Sequence, residues 1–244
     1  MASPQTLLRE LRSPDVETQA RGLRRIFQQL GTDSLTGQPP ADWQQQRDAL
    51  TEAEPRMLEL AESPDDTVRE LAADALSAWL GPHALEKLLI LARDPTDRVR
   101  ASAVGGLESW PEDERAKDAI LDAAQSGKWS IRMRAARALH AFTGPDVVDT
   151  LFESLVDPDS YVRQGAADSL AKRDPQEFLP RLRRLADHPA PQMLDAAMDL
   201  LGTVGTKEDG DFLAKTGSWL NLSQPAFVRT WARRAAKRIR ARLK

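Results

Sequence analysis

Small and apolar residues along this chain fall into a recurrent phrase. In "SPDDTVRELAADAL", Ser63–Leu76, residues Val68, Ala72, Ala73 and Leu76 occupy positions i, i+4, i+5 and i+8, which form one face of an α-helix. "DPDSYVRQGAADSL", Asp157–Leu170, places Val162, Ala166, Ala167 and Leu170 in the same register. "DPTDRVRASAVGGL" at Asp94–Leu107 fits the frame, and "SGKWSIRMRAARAL" at Ser126–Leu139 keeps the helical part with Ile131 in place of valine. More divergent copies begin at Ser13, His188 and Ser223. From Ser63 the starts recur after 31, 32, 31, 31 and 35 residues, a period that suits two short helices and their turns.

The segments upstream of these phrases, such as "PHALEKLLILA", "DERAKDAILDAA", "PDVVDTLFESLV" and "PQEFLPRLRRLA", supply the second apolar helix of each unit. Neither helix buries its face alone; stacking against its partner and the neighbouring units does so. The pattern predicts an all-α fold, a right-handed α-solenoid of about seven tandem two-helix repeats in a single domain spanning 1–244. Pro82, Pro145 and Pro175 fall at helix starts, where a missing N–H costs nothing, and Pro95 and Pro158 fall in the turns between helices. The first interval, 50 residues from Ser13 to Ser63, holds an insertion at 31–48, "GTDSLTGQPPADWQQQRD", a candidate recognition loop whose latter part enters the next helix.

These phrases and their period resemble the short HEAT-like repeats of the phycobilin-lyase type, and the resemblance covers most of Ser3 to Ala236. It implies an armadillo-type superhelical scaffold. The same scaffold is found in lyases that need a tetrapyrrole and a phycobiliprotein acceptor, in partner-binding proteins, and in a class of alkylpurine DNA glycosylases. Fold alone does not select among these activities.

Two sets of residues recur at fixed places in the phrase. Arg69, Arg100, Arg132, Arg163 and Arg229 share one position, and the first four are read as a structural ladder pairing with Asp65 or Asp66, Asp97 and Asp159 across a turn, or with nearby backbone. Trp79, Trp110 and Phe142 each follow the last leucine of a phrase by three residues, which favours packing on the next helix. Trp43 in the insertion and Trp129 near a turn escape that ladder and are candidate binding residues.

Charge changes the picture at one end. The chain has 34 Lys and Arg against 37 Asp and Glu, but Arg229–Lys244 carries eight basic residues and no acidic one, so the rest stands at −11. The body therefore disfavours generic phosphate-backbone binding, and the basic segment 229–244, a terminal helix or cap, supplies the candidates Arg229, Arg233, Arg234, Lys237, Arg238 and Arg240 for a nucleic acid or other polyanion. With no cysteine there is no thiolate chemistry, His83, His140 and His188 lack metal-ligand spacing, and Glu112, Asp113 and Glu114 read as a helix opening. No catalytic set, metal or cofactor is called for. The start lacks the apolar core of a secretory signal and no apolar run reaches about 18 residues, so a cytoplasmic protein without a membrane span is expected. The function expected is a non-enzymatic protein-interaction scaffold. The alternatives are a HEAT-like alkylpurine DNA glycosylase and nucleic-acid recruitment through the basic segment.

Overall fold

The computed structural model describes residues 2–31, 41–185, 195–216 and 226–243. Positions 32–40 of the insertion, the openings of the phrases at His188 and Ser223, and Lys244 lie outside the described residues. All the described regular structure is helical. In order it comprises α1 (Pro4–Leu11), α2 (Val16–Leu30), α3 (Trp43–Ala49), α4 (Glu54–Leu60), α5 (Asp66–Trp79), α6 (Ala84–Leu91), α7 (Asp97–Gly106), α8 (Glu114–Ala124), α9 (Trp129–Ala138), α10 (Pro145–Ser154), α11 (Ser160–Ala171), α12 (Pro175–Arg184), α13 (Asp195–Val204), α14 (Lys207–Thr216) and α15 (Ala226–Arg242), with three short 3-10 turns.

The chain divides into two compact units, Met1–Ala123 and Ala124–Lys244. In the first, the phrase helices α2, α5 and α7 pack side by side, while α1 backs α2, α4 backs α5, and α6 backs α5 and α7. In the second, α9, α11, α13 and α15 form the corresponding row, backed by α10, α12 and α14. The apolar positions of the phrase are the core: Val68, Ala72, Leu76, Val162, Ala166 and Leu170 are fully buried. Burying each of the larger side chains contributes about 1.5–3 kcal/mol.

Small residues set the spacing of the row. A Cβ on Gly106 in α7 would stand 2.6 Å from the Cβ of Ser77 in α5, so the two helices meet there at a distance only glycine allows. Helix α5 ends on Leu80 in the left-handed region, φ 53°, and Gly81 then leaves the space that the Trp79 indole fills.

In α2, α5 and α11 an aspartate of the turn starts the phrase helix by side-chain capping. Asp65 accepts from the amides of Thr67 and Val68 at 2.9 and 3.1 Å, Asp15 from Thr18 at 2.9 Å, and Asp159 from Tyr161 at 2.9 Å. Each such cap stabilises its helix by about 1 kcal/mol. The second part of the insertion is α3, which begins at Trp43.

Candidate interaction surface

The repeated arginines do two jobs. Each turns one nitrogen back onto its own turn: Arg69 donates to the Ser63 carbonyl at 2.8 Å, Arg100 to Asp94 at 2.6 Å, Arg132 to Ser126 at 2.9 Å and Arg163 to Asp157 at 2.8 Å. Gln19, at the same position of the first phrase, makes the equivalent bond to the Ser13 carbonyl at 2.7 Å. The remaining nitrogens of three arginines reach forward to the next repeat. Arg69 grips Asp94 through Nε at 2.8 Å and a second nitrogen at 3.1 Å, Arg132 grips Asp157 at 2.7 and 2.9 Å, and Arg163 grips Asp195 at 2.7 and 2.9 Å.

The carboxylates named from sequence need correcting. Asp65 and Asp159 cap helix starts rather than taking Arg69 and Arg163, and Asp66 pairs with Arg98 of the next phrase helix. Only Arg100 uses the expected partner, Asp97 in its own helix. The reason is reach. A guanidinium anchored to its own turn's carbonyl presents its free edge to the neighbouring repeat, where a planar bidentate carboxylate fits it.

These pairs are partly buried, and that fixes their electrostatics. Burial pushes the Asp94 carboxyl up, but hydrogen bonds from Arg69 and the Thr96 amide outweigh it and hold the group below the usual carboxylate range. Asp195 is held low against burial in the same way by Arg163. Asp209, which takes Arg183 at 2.6 and 2.9 Å and the Thr206 amide at 2.8 Å, is also held low against its burial.

The aromatic residues separate into interior and surface. Trp79 and Phe142 are 2 % and 1 % exposed, whereas Trp110, at the equivalent position, is half-buried. Trp43 is half-buried, with Arg47 lying 5.3 Å over its ring and 5.8 Å over that of Trp79. Trp129, the first residue of α9, is 47 % exposed and stacks at 5.6 Å on Tyr161 of α11, itself 63 % exposed. Sequence reading passed over Tyr161. The available signal was that it stands one phrase position beyond that of Trp129, in the following repeat, at the start of a helix whose buried face begins only at Val162.

Beyond the stack, α9 and α11 present Arg137, Gln164 and Asp168, with Gln164 donating to Asp168 at 2.8 Å. The result is an exposed aromatic shelf at the start of two neighbouring helices, with residues of both charges exposed about two turns further along them. Such a shelf can take a large apolar side chain while polar groups further along orient its backbone.

The basic segment is part of the last repeat. Val228, Ala232, Ala235, Ala236 and Ile239 of α15 are buried against α13 and α14. Arg238 donates to the Asp199 carbonyl at 3.1 Å, Arg240 lies 3.8 Å from Asp211, and Arg242 donates to the Gly205 carbonyl. Arg229 is half-buried; Arg233, Arg234 and Lys237 are exposed.

Other residues singled out in the sequence take local partners. Glu114 forms an ion pair with Lys117 at 2.6 Å, Asp113 takes Arg115 at 2.9 Å, His83 stands 3.6 Å from Glu54, and His140 bonds the Arg137 carbonyl at 2.8 Å. His188 lies outside the described residues. Among the described residues no group of three or more His, Asp or Glu side chains is placed to hold a metal ion.

Comparison with known proteins agrees with this architecture. A family model for HEAT repeats matches residues 85–171 and 148–237, and the chain belongs to that family. Its fold is accordingly an α-solenoid of tandem two-helix repeats. Over 113 residues it is 32 % identical to the phycocyanobilin lyase subunit alpha of Picosynechococcus sp., a match spanning 38 % of this chain and 42 % of that protein. Among solved structures it is similar to the complex of CpcE and CpcF of phycocyanin lyase from Nostoc sp. PCC7120, with 16 % identity, a TM-score of 0.56 and coverage of 99 % of this chain and 95 % of the other. It is likewise similar to a designed armadillo repeat protein in complex with the peptide (KR)4, with 17 % identity, a TM-score of 0.55 and coverage of 84 % and 100 %. At these identities the structural matches speak to the fold. No described helix is long and apolar enough to cross a membrane.

Proposed function

We propose that this protein is a non-catalytic scaffold that holds a protein partner on the row of phrase helices, with the Trp129–Tyr161 shelf as its anchor point. The observation that carries this reading is the shelf itself, two stacked aromatics from successive repeats that remain about half exposed or more. Large amphipathic side chains at exposed positions supply contact area at little entropic cost, and such residues dominate binding energy at protein interfaces.

The arginine links give the shelf a rigid base. Arg132 ties the start of α9 to the turn before α11, so the two rings arrive from elements whose separation is fixed. A designed armadillo repeat protein in complex with a peptide and the complex of CpcE and CpcF share this fold, which supports a partner-binding role.

The test is a parallel affinity capture from native-source extract, after nuclease treatment, with the full chain and its W129A/Y161A variant. A protein retained by the first and lost by the second, while circular dichroism and thermal unfolding of the variant stay near those of the parent, supports the proposal. A partner retained equally by both moves the binding site elsewhere.

A further inference from the structure

Helix α15 has two basic sets with different surroundings. Arg238, Arg240 and Arg242 are turned to α13, α14 and the Gly205 carbonyl, whereas Arg233, Arg234 and Lys237 are exposed and have no carboxylate partner among the described residues. The exposed three fall within little more than one turn, on the side of the helix away from buried Ala232, Ala235 and Ala236. Phe227 and Trp231 lie two turns and one turn before Arg234, at i, i+4 and i+7, and pack edge to face at 5.1 Å. Phe227 is 41 % exposed. The helix thus shows an aromatic pair leading into a compact cluster of positive charge.

We propose that this face of α15 is a second docking surface, separate from the Trp129–Tyr161 shelf, for an acidic segment of a partner protein that carries a large apolar side chain among its carboxylates. Charge complementarity sets the sign of the partner, since three exposed cations in a small area favour an acidic chain. The aromatic pair sets the need for an apolar anchor. Footprint argues for a peptide over a nucleic acid. Positions 233 to 237 span about 6 Å of helix, whereas a nucleic-acid groove spreads cations along the phosphate track. The 37 acidic against 26 basic residues outside 229–244 would repel a long polyanion.

The experiment uses the full chain and fluorescence anisotropy with a fluorescein-labelled peptide in which Glu and Asp flank a central Phe-Leu pair. Its controls are the same peptide with Gln and Asn for every acid, and a thymidine oligonucleotide of equal net charge. The acidic peptide is expected to bind at low salt, to weaken as salt rises, and to lose about tenfold or more in affinity for R233E/R234E/K237E. The charge-neutral R233Q/R234Q/K237Q should show a smaller loss in the same direction and guards against misfolding of the reversed variant. W129A/Y161A should bind the peptide like the parent, which separates this surface from the shelf. Absence of binding at low salt, equal binding by both triple variants, or tighter binding of the oligonucleotide than of the peptide would overturn the proposal.

Discussion

At Ser13 and Ser63 the repeat turn opens with a hydroxyl residue, and at Asp94 and Asp157 it opens with a carboxylate. Locally the two kinds of turn are equivalent. The Ser13 and Ser63 hydroxyls accept from the amides of Asp15 and Asp65 at 3.1 and 3.2 Å, while the Asp94 and Asp157 carboxylates accept from Thr96 and Asp159 at 2.8 Å. All four opening carbonyls are also clamped by the residue six positions on, Gln19, Arg69, Arg100 or Arg163. What differs is reach along the array. Only the carboxylate also takes the arginine of the preceding repeat. One side chain therefore serves two scales: any short acceptor closes the turn, but a charged one also couples it to its neighbour.

The largest effect should come from breaking a coupled turn. Asp157→Ala removes the cap of its turn and strands the partly buried Arg132 guanidinium, so urea unfolding should show a loss of about 2–4 kcal/mol. Ser63→Ala, which loses only a turn hydrogen bond, should cost about 1 kcal/mol or less by the same measurement. Next in size, Arg132→Ala should destabilise more than Arg100→Ala. Both lose the carbonyl clamp, but the carboxylate partner of Arg100 is a more exposed neighbour on its own helix.

Acid should erase part of the difference between the two kinds of turn. The Asp94, Asp195 and Asp209 carboxyls are held below their ordinary value in the folded state. Their contribution is complete above the unfolded value of about 3.9 and disappears as pH falls through the lower folded value. Stability measured against pH should therefore show Asp94→Asn less stable than the parent near neutrality, with the gap closing in strong acid. The smallest expected effect sharpens the comparison from the other side. Gln19→Arg combined with Ser63→Asp should install the missing link between the first two phrases, and a double-mutant cycle should return a favourable coupling of about 0.5–1 kcal/mol.

Much of the array was legible in the chain because its helices repeat one packing problem. Val68, Ala72 and Leu76 mark a face by spacing alone. The arginine partners were not legible in the same way. Arg69 and Asp94 are 25 residues apart, and a search confined to the turn favours nearer carboxylates that are committed to capping. The usable signal was positional, an Asp opening one phrase after an Arg in the seventh place of the phrase before it. The basic segment was legible both as charge and as a terminal helix or cap continuing the phrase copy that begins at Ser223, while which of its cations turn toward the neighbouring helices was not. Its role as the last phrase helix follows from Val228, Ala235 and Ile239, and removing it would strip the packing of α13 and α14, so point substitutions rather than truncation probe its surface.

On the function proposed above, buried phrase faces and arginine links hold the repeats together and the exposed aromatic shelf anchors a protein partner. This central claim is tested most directly by hydrogen exchange on the full chain, alone and saturated with the captured partner. New protection concentrated in 129–137 and 160–168 is the predicted result. Protection confined to other helices, with exchange at Trp129–Arg137 and Ser160–Asp168 unchanged, would contradict the claim.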